Sequence, residues 1–381
     1  MKKYIIASGF FLLLSVILAA TLIKRVGQQI QPESPARASK RSESVKNSAP
    51  KRREAPAPEL SAGRPADFSK AEATMIAVGD IMLSRNVAAK ISKYGDFDYP
   101  FASTSAMFNS VDFVFGNLES PITQGPRVPT GSFIFHADPG VENALAAANF
   151  KILSLANNHL PNYGAKGIAD TIKYLDVVGI AHAGAGKNLA VASRPAFLEI
   201  KGIRFAFLAY NDRDVAPFGY GAATSSAGTA LMDLAAMQAA VGDAKKIADL
   251  VIVSMHSGRE YTEELTAAQT EFAHAAIDAG AELVLGHHPH VTQRVEKYRG
   301  KYIFYSLGNF IFDQMWSEET RRGIAVKFYF NRSGTMRAEV QPFLIMDYSR
   351  PVPAQQKIAE AVFQRLQIAP TDDFIRLLGA Q

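Results

Sequence analysis

The chain has 381 residues, 48% hydrophobic and 20% charged, with no cysteine. That apolar share supports a substantial core, while the missing thiols exclude disulfides and thiolate metal sites. The net charge of +5 is unevenly placed, since residues 1–72 carry 13 Lys+Arg against 6 Asp+Glu and the remainder 28 against 30; a nucleic-acid-binding domain is not indicated.

Met1-Lys2-Lys3 leads into an apolar run from Tyr4 to Ile23, about 20 residues and so long enough to span a bilayer. Lys24-Arg25 closes the run, and Ala19-Ala20 is a weak cleavage site, which favours a signal anchor over residues 1–25 against a cleaved signal. Lys2 and Lys3 compete with the basic residues beyond the run, so charge alone leaves the orientation open. Residues 26–71 are rich in Ser, Pro, Ala, Lys, Arg and Glu. They read as a disordered linker, because they bury too little apolar surface to offset their ordering entropy. Lys40-Arg41 and Lys51-Arg52-Arg53 could rest on anionic lipid, but plain solvation is the favoured reading.

A folded domain is expected over residues 72–348. Its strand candidates are Thr74 to Gly79, Ser110 to Phe115, Phe150 to Ala156, Ile203 to Tyr210, Leu250 to Met255, Ala281 to Leu285, Tyr302 to Leu307 and Ile324 to Phe330. Helical spacing marks Val141 to Phe150, Ile168 to Val178, Ala230 to Ile247 and Thr266 to Ala279. This alternation predicts an α/β fold with parallel strands, and the close spacing from Tyr302 to Met346 predicts a second, more antiparallel sheet. A Pro-broken tail, residues 349–381, carries one amphipathic helix, Gln355 to Leu366, expected to pack on the domain.

Histidine is scarce, eight in the chain, and it gathers at the ends of apolar runs. In an open α/β sheet ligands collect at the carboxyl ends of the strands. The run Glu282 to Leu285 reaches Gly286 and then His287, His288 and His290. Other runs end in Asp80, in Asn117 and Glu119, in Asn157-Asn158-His159, and in His256. These residues predict a metal site of Asp80, Asn117, Glu119, Asn158, His256, His288 and His290. Oxygen and imidazole donors without sulfur suit Mn, Fe or Zn. Glu119 is expected to bridge ions or act as a base, His159 as the general acid, and Arg85 or Arg259 as an anion clamp. Glu260 and Asn309 join Arg259 on the substrate side, with a supporting or turn role the alternative for Asn309. His136 and His182 read as structural, Gly184-Ala185-Gly186 as a turn, and Trp316 as surface packing rather than pocket rim.

The ordered blocks Val78-Gly-Asp-Ile-Met-Leu-Ser-Arg85, Gly116-Asn-Leu-Glu119, Asn157-Asn-His159, His256-Ser-Gly-Arg-Glu-Tyr261, Gly286-His-His-Pro-His-Val291 and Tyr305-Ser-Leu-Gly-Asn-Phe310 resemble the CapA family of capsule and poly-γ-glutamate synthesis proteins. The domain of that family resembles calcineurin-like metallophosphoesterases. The resemblance implies a four-layer α/β-sandwich preceded by a transmembrane helix and linker, facing outward from the cell membrane. It also implies work on an anionic polymer such as poly-γ-glutamate, or on a phosphoester, alongside membrane synthase subunits. Two departures stand out: Met82 occupies the place of a metallophosphoesterase histidine, and Asn117 that of an aspartate. They leave two functional expectations, a metal-dependent hydrolase and a non-catalytic component that holds polymer.

Overall fold

The computed structural model describes residues 72–371 and 373–377. The expected anchor at 1–25 and linker at 26–71 lie outside the described residues. Among those described, no helix is long and apolar enough to cross a membrane.

The chain opens with β1 (Ala73–Ile81), α1 (Arg85–Tyr94), β2 (Phe113–Leu118), α2 (Val141–Ala147), β3 (Phe150–Ser154), α3 (Gly164–Val177) and β4 (Ala181–Ala183). Then come the short β5 (Ala185–Gly186), β6 (Ala196–Ile200), β7 (Ile203–Asn211), the short β8 (Gly228–Thr229), α4 (Leu234–Lys245), β9 (Leu250–His256), α5 (Ala267–Asp278) and β10 (Leu283–His287). The last part holds β11 (Val295–Tyr298), β12 (Lys301–Phe304), β13 (Asn309–Ile311), β14 (Arg322–Asn331), β15 (Gly334–Met346), β16 (Arg350–Pro353), α6 (Gln356–Leu366) and β17 (Phe374–Arg376).

Two sheets result. The first has nine strands along the path β16-β15-β14-β1-β2-β3-β4, with β13 on β1 and β17 on β15; the second has six, in the order β11-β12-β10-β9-β7-β6. β1 to β4 run parallel, as do β7, β9, β10 and β12. Such strands are apolar on both faces, as all-parallel strands must be when both faces are covered. Every residue of β9 is buried: Leu250 and Ile252 face the other sheet, while Val251, Val253 and Met255 face α4 and α5. Aromatic edges knit the sheets together, as where Phe113 meets Phe205 at 5.4 Å between ring centroids. A third core lies between the first sheet and α1, α2 and α3. Helices, sheet, sheet and helices make four layers, as expected.

Two expectations need correction. The strands after Tyr302 do not form a sheet of their own: β12 joins the second sheet in parallel, while β14 adds antiparallel to β1 in the first sheet and β15 and β16 follow it, each antiparallel to the strand before. Alternation fixes which face of a strand is buried, not which sheet it joins. The tail helix packs on the domain as expected: Ala359, Val362, Phe363 and Leu366 of α6 enter the core between the sheets, and β16 and β17 pair with β15. Finally, β1, β9 and β10 run on through Asp80, His256 and His287, so these side chains are fixed by ladder hydrogen bonds rather than carried on loops.

Glycine lets the strands close up next to these residues. A Cβ on Gly79 would stand 1.8 Å from the Gly308 carbonyl oxygen, and one on Gly286 would stand 1.9 Å from that of Tyr305. Gly286→Ala is therefore expected to lower unfolding stability by about 3 kcal/mol, the upper part of the overpacking range. Gly242→Ala, inside α4 with nothing within 4 Å of the added methyl, should raise it by about 0.5–1 kcal/mol. Chemical denaturation of the two variants measures both.

Candidate metal centre

The carboxyl ends of β1, β2, β9 and β10 converge. Asp80 and Glu119 are both wholly buried there, and they are treated differently. Asp80 accepts hydrogen bonds from Asn117 Nδ2 at 2.8 Å and from the His288 backbone N–H at 3.3 Å. His287 Nδ1 stands 3.2 Å from one of its oxygens and His290 Nδ1 3.5 Å from the other. Burial alone would raise its pKa, but the His287 and His290 imidazoles outweigh that and hold the carboxyl well below its ordinary value. Glu119 has no such company, and neither of its oxygens meets a hydrogen-bond donor. Burial, then the charges of Asp80 and Glu260, push its pKa well above the ordinary range.

Around Glu119 Oε1 stand three imidazole nitrogens, Nε2 of His159, His256 and His290, each 3.9 Å away. One ligand atom from each of Asp80, Glu119 and His256 lies within 4.8 Å of the other two. His256 Nε2 also sits 3.0 Å from Asn158 Oδ1. The His288 ring lies 4.8 Å from that of His256, with its Nδ1 buried and unpartnered. Burial lowers the pKa of His256 well below its usual value and that of His288 to about 3, each helped by a neighbouring imidazole. Neutral imidazoles and carboxylates are the forms that ligate metals. Buried polar groups are nearly always hydrogen-bonded, so an orphaned carboxylate facing three imidazole nitrogens fits a divalent cation.

The local backbone is shaped to this end. His288 and His290 flank Pro289 at φ 97° and 57°, and Tyr261 stands at 62°. Left-handed backbone is rare for such residues and costs about 1–3 kcal/mol each; here it turns two imidazoles from one short loop towards one centre.

The structure brings Asp80, Glu119, Asn158, His159, His256, His288 and His290 together, but it changes the parts of others. Asn117 was expected as a ligand. Its Oδ1 instead accepts from Asn157 Nδ2 at 3.1 Å while its Nδ2 serves Asp80 and faces His256 Nδ1 at 3.2 Å, so its amide is used up orienting those two side chains. Asn309 was expected on the substrate side. It is 1% exposed, and its Oδ1 sits 2.9 Å from His290 Nδ1 while Nδ2 donates to Gln314 and the Thr320 carbonyl. That arrangement fixes the His290 tautomer and leaves Nε2 free, a role partners of metal-binding histidines commonly play. His287, passed over as a site residue, backs Asp80. Its only sequence signal is its place directly after Gly286.

Arg85 was expected to clamp an anion, but its guanidinium is paired with Asp313, donates to the Ser132 carbonyl and lies over the Phe135 ring. Its charge is already committed. Arg259 is exposed and does not line the cleft above the centre. That cleft, about 500 Å³, is bounded by Arg85, His159, Glu260, Tyr261, His290 and Trp316 among others. Trp316 is thus a rim residue after all. Met82 is fully buried and accepts a hydrogen bond from Ser84 N–H. His159 has Nδ1 3.1 Å from Asn162 Oδ1, and burial lowers its pKa to about 4. At neutral pH it is a neutral imidazole able to accept a proton at Nε2, rather than the imidazolium expected of a general acid. His136 and His182 are structural as expected, bound to the Pro126 carbonyl and to Asp176.

Residues 74–314 match the family model described as bacterial capsule synthesis protein PGA_cap. The chain belongs to that family. It is 36% identical over 288 residues to the capsule biosynthesis protein CapA of Bacillus anthracis, covering 73% of this chain and 69% of that one. It is 35% identical over 282 residues to the PGA biosynthesis protein CapA of Bacillus subtilis (strain 168), covering 73% of each. Among solved structures it aligns with the calcineurin-like phosphoesterase YfkN of Bacillus subtilis at a TM-score of 0.44 and 13% identity, over 78% of this chain and 97% of that one. The orphaned Glu119 and its three imidazoles all lie within the span that matches PGA_cap.

An acid whose folded pKa is raised keeps a proton the unfolded chain has lost, so stability falls as pH rises above the unfolded value of about 4.3. In chelator-treated protein, Glu119→Gln should therefore be more stable than the parent at pH 7, by about 1–3 kcal/mol. The gap should close below about pH 4. Urea titrations across pH measure the difference.

Proposed function

We propose that this protein is a divalent-metal-dependent component of capsular polymer synthesis, held at the cell membrane by residues 1–25 with its domain on the outer side. One observation carries the metal: Glu119, buried without a single hydrogen bond and equidistant from three imidazole nitrogens. Membership of PGA_cap supports the polymer, poly-γ-glutamate being the substrate class that the relatives' names suggest. On this reading Asp80, Glu119, His256, His288, His290 and the Asn158 amide oxygen hold the ion. Such oxygen and nitrogen donors suit Mn, Fe or Zn. A bound ion of this kind acts as a Lewis acid and lowers the pKa of water.

The chain's own groups do the rest. Asn309 holds His290 with Nε2 inward, Asn117 holds Asp80, and Asn162 holds His159 with Nε2 towards Glu119 and the cleft. His159 can accept a proton released by a nucleophile and return it to a leaving group. Phe135 stacks on its ring at 3.9 Å and shields it from water. Synthase subunits in the same membrane would deliver the polymer.

Elemental analysis of the full chain, purified without chelator, should find Mn, Fe or Zn in the parent and none in a Glu119→Gln, His256→Ala double variant. Metal-free parent would sink the reading. Asn309→Ala should weaken metal affinity by about 10–100-fold with the ligands intact. His159→Gln should keep its metal while polymer cleavage or transfer drops by about 10²–10⁴-fold. Metal retained in the parent without any turnover would instead assign the site to holding polymer.

A further inference from the structure

The mouth of the cleft has a chemistry distinct from its floor. Three large aromatic side chains line it while facing solvent: Phe133 at 83% exposure, Trp316 at 63% and Tyr261 at 45%. Single exposed aromatics are unremarkable, but several around one cavity mark a binding surface. Trp316 and Tyr261 meet edge to face at 4.8 Å, and Tyr261 stacks on His290 at 5.9 Å between ring centroids. Tyr261 is held there against its own preference, at φ 62° with its N–H bonded to the Pro289 carbonyl at 2.8 Å.

Charge narrows the ligand. Glu260 adjoins Tyr261 on the cleft wall, has no Lys or Arg partner among the described residues, and stands 4.0 Å from His290 Nε2. The cleft's cation, Arg85, is bound to Asp313, and Arg259 lies outside the lining. What the mouth offers is aromatic faces and one uncompensated carboxylate. That set repels carboxylates and phosphates and complements a primary ammonium, which π-faces and a carboxylate attract together.

We propose that the cleft mouth binds a primary alkylammonium group between Tyr261, Trp316 and the Glu260 carboxylate. The proposal rests on the metal-dependent reading for the chemistry beyond the mouth, and names the part of the substrate that is recognised. An anionic polymer then enters by a free amino end, with its carboxylates left in solvent.

Trp316 is the chain's single tryptophan, so fluorescence excited selectively in tryptophan over the tyrosines reports from the mouth. The full chain, Zn-loaded and chelator-treated, is titrated with n-butylammonium chloride, and with n-butanol, sodium glutarate and sodium chloride at matched ionic strength. The expected result is a saturable change with butylammonium and none with the other three, weakened about tenfold in Glu260→Gln. Circular dichroism checks the fold of the variant, and its Zn content is measured in parallel. A saturable response to glutarate at lower concentration than to the amine overturns the proposal, and so does undiminished amine binding by Glu260→Gln. Retained Zn with no amine response sinks the mouth assignment alone. An amine response in a parent that takes up no Zn sinks the metal reading alone.

Discussion

Two carboxylates buried within a few ångströms of each other are the constraint on which this molecule turns. Asp80 keeps its charge because an Asn117 amide, a His288 backbone N–H and the His287 and His290 imidazoles converge on it. Glu119 receives no donor, and in the absence of a cation it is better off protonated. The asymmetry has a structural source: Asp80 sits on a central strand between β13 and β2, within reach of the β10 loop, whereas Glu119 follows the last residue of β2 and points into a ring of imidazoles. A divalent ion would resolve the conflict for both carboxylates at once, so metal binding and stability should be coupled here.

The sheets pay for this geometry in backbone strain and tight contacts near the site. Gly79 and Gly286 let neighbouring strands approach closer than any side chain would allow, and the closeness brings Asp80 and the His287–His290 segment face to face. Left-handed backbone at His288 and His290 then aims both rings inward. Each such residue is unfavourable alone; the extensive core between the two sheets holds them in place.

The cleft above the centre is electrostatically quieter than a polyanion site would require. Arg85 is consumed by Asp313, and burial keeps His159 neutral. What remains near the candidate metal centre is a proton acceptor, an unpaired carboxylate and exposed aromatic side chains. Within a family devoted to capsule synthesis, this favours recognition of one end of a polymer over a grip along its length.

By itself the sequence determined where chemistry-bearing residues fall. Apolar runs that stop at Asp80, Glu119, Asn158-His159, His256 and His288-Pro289-His290 are legible because parallel strands are buried on both faces and function gathers at their carboxyl ends. The layered α/β architecture was legible for the same reason, and so were most helices, with Thr266 capping α5 at the expected place. Tertiary structure alone decided the division of labour. Whether Asn117 or Asn309 is a ligand depends on which end of its amide meets which partner, and those partners are 37 residues away for Asp80 and 19 for His290. Whether Arg85 can clamp an anion depends on Asp313, 228 residues further on. The sheet that β14 to β16 join, and the support His287 lends Asp80, likewise follow from contacts between distant segments. Periodicity along a chain specifies burial, but the pairing of polar atoms is specified only when the chain is folded.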